Sequence, residues 1–177
     1  MCPSIRVLAL ALLAIPLVAC STATVSRSEM TDPALVTIHE AFAATVERAN
    51  NDPDVTWKSG WFGNVGIHLG GREERGLCYE WQGLVYGGVL VAVRDVGWAA
   101  TGVSINRRTS SEHHAVIVFD PKRIAREDLL EVGAEDPAYV LDAWQRGEAD
   151  VYRLAEWLTM PLLVRVPARL EEPYPGH

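Results

Sequence analysis

Apolar residues recur at helical spacing from Leu35 through Ile38 and Phe42 to Val46, so Pro33 to about Arg48 reads as an amphipathic helix. Its start is written in Thr31-Asp32-Pro33. Asp32 can accept from an orphan backbone N–H, and Pro33 needs no N–H at the first helical position. A second stripe runs through Trp81, Leu84, Val85, Gly88, Val89 and Ala92. Against a helix there, Gly83, Gly87 and Gly88 each cost about 1 kcal/mol relative to alanine. The pattern favours a buried helix over Leu77 to Val93 whose glycines let it pack closely on a sheet. Two consecutive strands stand as the alternative. Between the two helices, Trp57 to Gly71 holds five glycines and reads as irregular chain with one short strand.

Beyond Val96 the period changes. Trp98 to Asn106 reads as a strand. His114 to Phe119 is a continuous β-branched run, the mark of a central strand buried on both faces and ended by Asp120-Pro121. Ile124 to Val132 reads as a short helix and Ala138 to Ala143 as a strand. Asp150 is placed to cap a last helix through Met160, with Val151, Leu154, Trp157 and Leu158 on its apolar face. After Pro161 a proline-rich tail is expected over the surface. With no repeat and no second composition regime, the chain reads as one α+β domain.

The N-terminus stands apart from this fold. Arg6 precedes an apolar run, Val7 to Ala19, of about a dozen residues, short of the ~20 that span a membrane. It ends in Leu17-Val18-Ala19-Cys20, which resembles the bacterial lipobox, whose cysteine is lipidated and becomes the new N-terminus. The resemblance implies a signal peptide over residues 1–19, a tether over 20–30, the domain over 31–177, and lipidation at Cys20. Ser21 after the cysteine, by likeness to Gram-negative lipoproteins, implies the periplasmic face of the outer membrane. Membrane attachment would be through the lipid alone.

Charge narrows the partners. The chain has 16 basic and 23 acidic residues, a net −7, and loss of Arg6 with the signal would make it −8. That balance argues against nucleic acid and against a polybasic hold on anionic lipid. Six Trp and 49% apolar residues argue for a packed globule rather than a disordered stalk.

Of three cysteines, Cys2 leaves with the signal and Cys20 is committed to lipid, so Cys78 has no disulfide partner. The same count excludes zinc sites of the multi-cysteine kind. Cys78 follows Arg75-Gly76-Leu77 at the start of the second helix, where orphan N–H groups and the helix dipole favour a thiolate and can hold an oxyanion. The plain alternative is a small buried hydrophobe. His114 opens one buried strand, and Asp142 lies between Leu141 and Ala143 inside the next. A charge within an apolar strand needs a partner, and a histidine on a neighbouring strand would serve. A metal reading of His113, His114, Asp120 and His68 is disfavoured because adjacent strand residues diverge and no His-Glu-x-x-His spacing exists.

Gly76-Leu77-Cys78, then His114-Ala115-Val116, then Leu141-Asp142-Ala143-Trp144 together resemble the transglutaminase-like cysteine protease superfamily, over roughly Gly71 to Trp144. The resemblance implies a papain-like fold with the nucleophile helix against an antiparallel sheet. It assigns Cys78 as nucleophile, His114 as base, favoured over His113, and Asp142 as the group that orients the ring. The stretch Pro121 to Pro137 lengthens the usual hairpin between the histidine and the aspartate. An upstream oxyanion donor is sought among Trp57, Asn64 and His68. The implied activity is a cofactor-free thiol hydrolase or acyl-transferase acting on amide bonds of a periplasmic protein or peptide. A non-catalytic envelope lipoprotein of the same fold, serving as adaptor or scaffold, is the alternative.

The lipobox reading carries a direct test. The mature protein is expected to begin at a diacylated Cys20 and to partition with membranes, while Cys20→Ala is expected to lose the lipid. Intact mass settles it, since an unmodified Cys20 or a chain still beginning at Met1 contradicts the assignment.

Overall fold

The computed structural model describes residues 24–61, 63, 74–159 and 166–173. Two long helices lie on one face of a five-stranded antiparallel sheet. Helix α1 (Pro33–Asn50) starts as its sequence dictates, with the Asp32 carboxylate accepting from Ala34 N–H at 2.8 Å and Pro33 at the first position. It buries Leu35, Ile38, Phe42, Val46 and Ala49. Helix α2 (Cys78–Asp95) buries Cys78, Trp81, Val85, Val89 and Val93, so the two-strand alternative for this stretch is set aside.

Two short strands, β1 (Thr56–Trp57) and β2 (Glu74–Arg75), pair in parallel and deliver the chain to α2. The main sheet comprises β3 (Ala99–Ile105), β4 (His113–Phe119), β5 (Ala138–Asp142), β6 (Asp150–Arg153) and β7 (Arg169–Glu171), in the order β6-β5-β4-β3-β7. The helices cover one face, where Trp81, Val85 and Val89 meet Val116, Val118, Leu141 and Val151. Ile117, Val140, Tyr152 and Phe119 fill the other face, under Leu129, Leu154 and Trp157. β4 is therefore the buried central strand that its unbroken apolar run requires.

Three elements differ from their sequence patterns. Asp150 does not cap a helix. Asp150–Arg153 pairs with β5, and only Leu154–Leu158 (α3) is helical. Without β6, the buried backbone of β5 would be an unpaired edge, and that need outweighs the helical spacing of Val151, Leu154 and Trp157. The stretch expected as a short helix is a 3-10 segment, Arg126–Glu131. Part of the tail leaves the surface and adds β7 to the edge of β3. At the other end, Val25 N–H donates to Val151 O at 2.7 Å and Met30 is buried, so the later part of the expected tether is docked on the domain.

The glycines of α2 have opposite roles. At Gly88 an added Cβ would stand 2.2 Å from Thr45 Oγ1, so this position sets how closely α1 and α2 approach. At Gly87 an added Cβ would meet nothing within 4 Å. Gly87→Ala is therefore expected to stabilise the fold by about 0.5–1 kcal/mol, and Gly88→Ala to destabilise it by about 1–3 kcal/mol. Urea denaturation of the two variants against wild type reads both signs.

Candidate functional site

The turn that carries Cys78 is held by backbone contacts. Lys58 N–H donates to Arg75 O at 2.7 Å, and the Trp81 indole donates to Lys58 O at 2.8 Å. Gly76, between these contacts, has φ +127, and an added Cβ would lie 2.0 Å from Lys58 O. Only glycine fits both the conformation and the approach. Glu80 completes the turn, accepting from Gly76 and Leu77 N–H at 2.9 and 3.0 Å while pairing with Arg75 at 3.1 Å. Cys78 is thereby fixed as the first residue of an eighteen-residue helix, where backbone N–H groups have no intrahelical acceptor. Its side chain is buried, the residue 7% exposed, and the thiol donates to Glu112 O at 3.7 Å.

The expected pairing of His114 with Asp142 is corrected by strand geometry. Leu141 stands opposite Val116, so Asp142 comes one step along, on the other face. The β4 side chain diagonal to it on that face is His113, because alternate residues of β4 share a face and His114 belongs to the other set. His113 Nε2 meets Asp142 Oδ2 at 2.6 Å, with side chains only 7% and 1% exposed. The other carboxylate oxygen accepts from Trp144 N–H at 3.1 Å. The imidazole is flanked by Trp144 and Trp157, at centroid distances of 4.8 and 5.9 Å. Burial alone would lower the proton affinity of this ring. The Asp142 charge and hydrogen bond outweigh it, with the Cys78 sulphur adding in the same direction, and the ring is pushed up to about 10. Its second nitrogen, Nδ1, is buried and makes no hydrogen bond of ordinary geometry.

His114 points the other way, into a separate cluster. Its Nε2 meets Glu112 Oε1 at 2.8 Å and its Nδ1 meets Glu171 Oε1 at 2.6 Å. Of the expected oxyanion donors, Trp57 packs tilted against Trp81, ring centroids 4.6 Å apart, and lines a cavity of about 710 Å³ with Arg48, Tyr79, Glu80 and Leu84. Cys78 does not line that cavity. Asn64, His68 and Cys20 lie outside the described residues. Asp120, from the metal reading, binds Lys122 N–H in the turn after β4. Among the described residues no group of three His, Cys, Asp or Glu is placed to hold a metal ion.

No known protein family, curated protein or solved structure matches the chain. What stands at the site is a thiol at a helix start, beside a buried imidazole whose affinity for its proton is raised by the buried carboxylate paired with it. Such a set can pass a proton between sulphur and ring and can stabilise the ring when it is charged.

Removal of the carboxylate tests the pair. Asp142→Ala leaves a buried ring without its counter-charge and is expected to cost about 3 kcal/mol or more at neutral pH. The fold raises the affinity of His113 for its proton. The stabilisation is therefore fully present below the unfolded-state value of ~6.5 and is lost as pH rises through about 10. The stability gap between wild type and Asp142→Ala, measured in urea, is expected to shrink from neutral pH toward pH ~10.

Proposed function

We propose that this protein is a thiol hydrolase or acyl-transferase acting on amide bonds through Cys78, His113 and Asp142. The observation that carries it is the buried 2.6 Å His113–Asp142 bond, which leaves the second ring nitrogen unpartnered beside the helix that begins at Cys78. In this reading the charged His113 already holds the proton that Cys78 gives up, and Cys78 attacks the carbonyl carbon of the substrate as the thiolate of that ion pair. The carbonyl oxygen becomes an oxyanion, with the Cys78 backbone N–H as one donor to it. His113 returns the proton to the leaving amine as the C–N bond breaks, giving a thioester and a neutral amine. Water or a second amine then adds to the thioester with His113 as base, and the acid or new amide leaves as the thiol is restored. Asp142 holds the ring orientation throughout and favours its charged form.

The order glycine, cysteine, histidine, aspartate, together with a helix packed on an antiparallel sheet, is similar to the transglutaminase-like and papain-like enzymes, with His113 in the position first given to His114. Attachment by a lipid at Cys20, an outer-membrane site facing the periplasm, and a protein or peptide substrate complete the proposal. Among the described residues no helix is long and apolar enough to cross a membrane. The burial of Cys78 favours a second reading, in which the chain keeps this fold as a non-catalytic scaffold.

Alkylation of the native protein by iodoacetamide separates the two. An ordinary thiol is only a few per cent ionised at pH ~7, so removal of its base is expected to slow labelling about tenfold or more. His113→Ala and Asp142→Asn are expected to show that loss at Cys78, and His114→Ala is not. If Cys78 labels only after denaturation, in wild type and in His114→Ala alike, it is a core residue and the enzyme reading fails.

A further inference from the structure

The His114 cluster lies beside the thiol but outside the proposed chemistry. His114 side chain is 11% exposed and has a carboxylate on each ring nitrogen, Glu112 from the segment before β4 and Glu171 from β7. A neutral imidazole has one N–H and one lone pair. Between two carboxylates it would set its lone pair against an oxygen lone pair, so both contacts form only when the ring carries its second proton. The remaining groups around it reinforce the arrangement. From α2, Gln82 donates to Glu171 Oε1 at 3.0 Å and to Val103 O and Ala115 O, while Tyr79 stands edge-on to the ring at 6.4 Å. From the segment after β3, Arg107 approaches Glu171 Oε2 at 3.8 Å and Arg108 N–H donates to Glu112 Oε2 at 2.6 Å. Arg169 on β7 is exposed, and His113 lies on the opposite face of β4.

Glu112 also touches the thiol through its backbone. Its carbonyl accepts from Cys78 Sγ, while the Nδ1 of His113 makes no hydrogen bond of ordinary geometry. The same residue whose side chain is bound by His114 therefore engages the thiol.

We propose that His114 is a proton-dependent latch, which holds the segment ending at Glu112 and strand β7 in place and keeps the Cys78 thiol covered and engaged by the Glu112 carbonyl. Loss of one proton from the ring releases Glu112 or Glu171, and the sulphur becomes accessible and free to face His113. Burial opposes the charged ring, but the hydrogen bonds and charges of Glu171 and Glu112 outweigh it and raise its affinity for the proton. The latch is thus closed below the ordinary histidine range and opens as pH rises through the raised value. His114 acts here through Glu112 and is a positioning residue.

Release is read as access to sulphur, independently of whether Cys78 catalyses. The test uses the full chain carrying His113→Ala, so that no base ionises the thiol. Iodoacetamide labelling of Cys78 is divided, at each pH, by the rate for free cysteine. The normalised rate is expected to rise about tenfold between pH ~6 and pH ~9, the effect of losing one charge-assisted hydrogen bond. Adding His114→Gln is expected to leave it high and nearly flat with pH. Adding Glu112→Gln is expected to leave it low and flat. The new amide can donate to a neutral His114 while its oxygen keeps the Arg108 N–H. A flat normalised rate shared by all three proteins overturns the latch. Should His113→Ala fail to fold, hydrogen exchange of the β7 amides in wild type, corrected for intrinsic rates, is expected to lose protection over the same pH range. Unchanged protection overturns the latch equally.

Discussion

The structure depends on one buried charge pair, His113 with Asp142. Two ionisable side chains at 7% and 1% exposure are tolerated in an apolar interior only because each satisfies the other. Much of the surrounding order follows from that requirement. The β4–β5 register must set the two side chains diagonally on one face, and Trp144 and Trp157 enclose the ring. Asp142 also stands opposite Asp150 across β5 and β6, a pairing of like charges that would repel. Arg146 binds the Asp150 carboxylate through two nitrogens, and His113 neutralises Asp142, so each acidic residue has its own cation.

Strand alternation gives two adjacent histidines separate surroundings. His113 shares its face with Asp142, and His114 turns toward Glu112, Glu171 and the start of α2. Both networks converge on Cys78, one through the imidazole beside the sulphur and the other through the Glu112 carbonyl. The sulphur stands between an imidazole paired with a carboxylate and a carbonyl that engages the thiol. That placement gives a physical reason for a nucleophile position as buried as this one.

Much of the fold is legible in the chain. Asp32-Pro33 announces α1, the stripe from Trp81 to Val89 gives α2, and the unbroken run to Phe119 marks the central strand. Asp142 was also legible, because a carboxylate among Val140, Leu141 and Ala143 must have a partner. The identity of that partner is set by which face of β4 each histidine occupies. Choosing His114 over His113 rests on likeness to a motif, whereas parity across the β4–β5 ladder selects His113. The glycine pattern of α2 suggests close approach to the sheet. Gly88 instead admits Thr45 of α1. β6 and β7 were hidden for a common reason. Each is short, and each is a strand because of the neighbour it pairs with rather than its own pattern. Glu171 had no local signal at all, since its partners Gln82 and His114 are remote in the chain.

The protonation of His113 tests the central claim most directly. Long-range proton–nitrogen correlation spectra of the imidazole nitrogens, recorded on histidine-labelled protein, report whether one or both ring nitrogens carry hydrogen. The buried pair predicts that His113 has both nitrogens protonated well above neutral pH and releases the proton only toward about 10. A His113 ring that is neutral by pH ~7.5 and titrates near the ordinary value of ~6.5 would contradict the account.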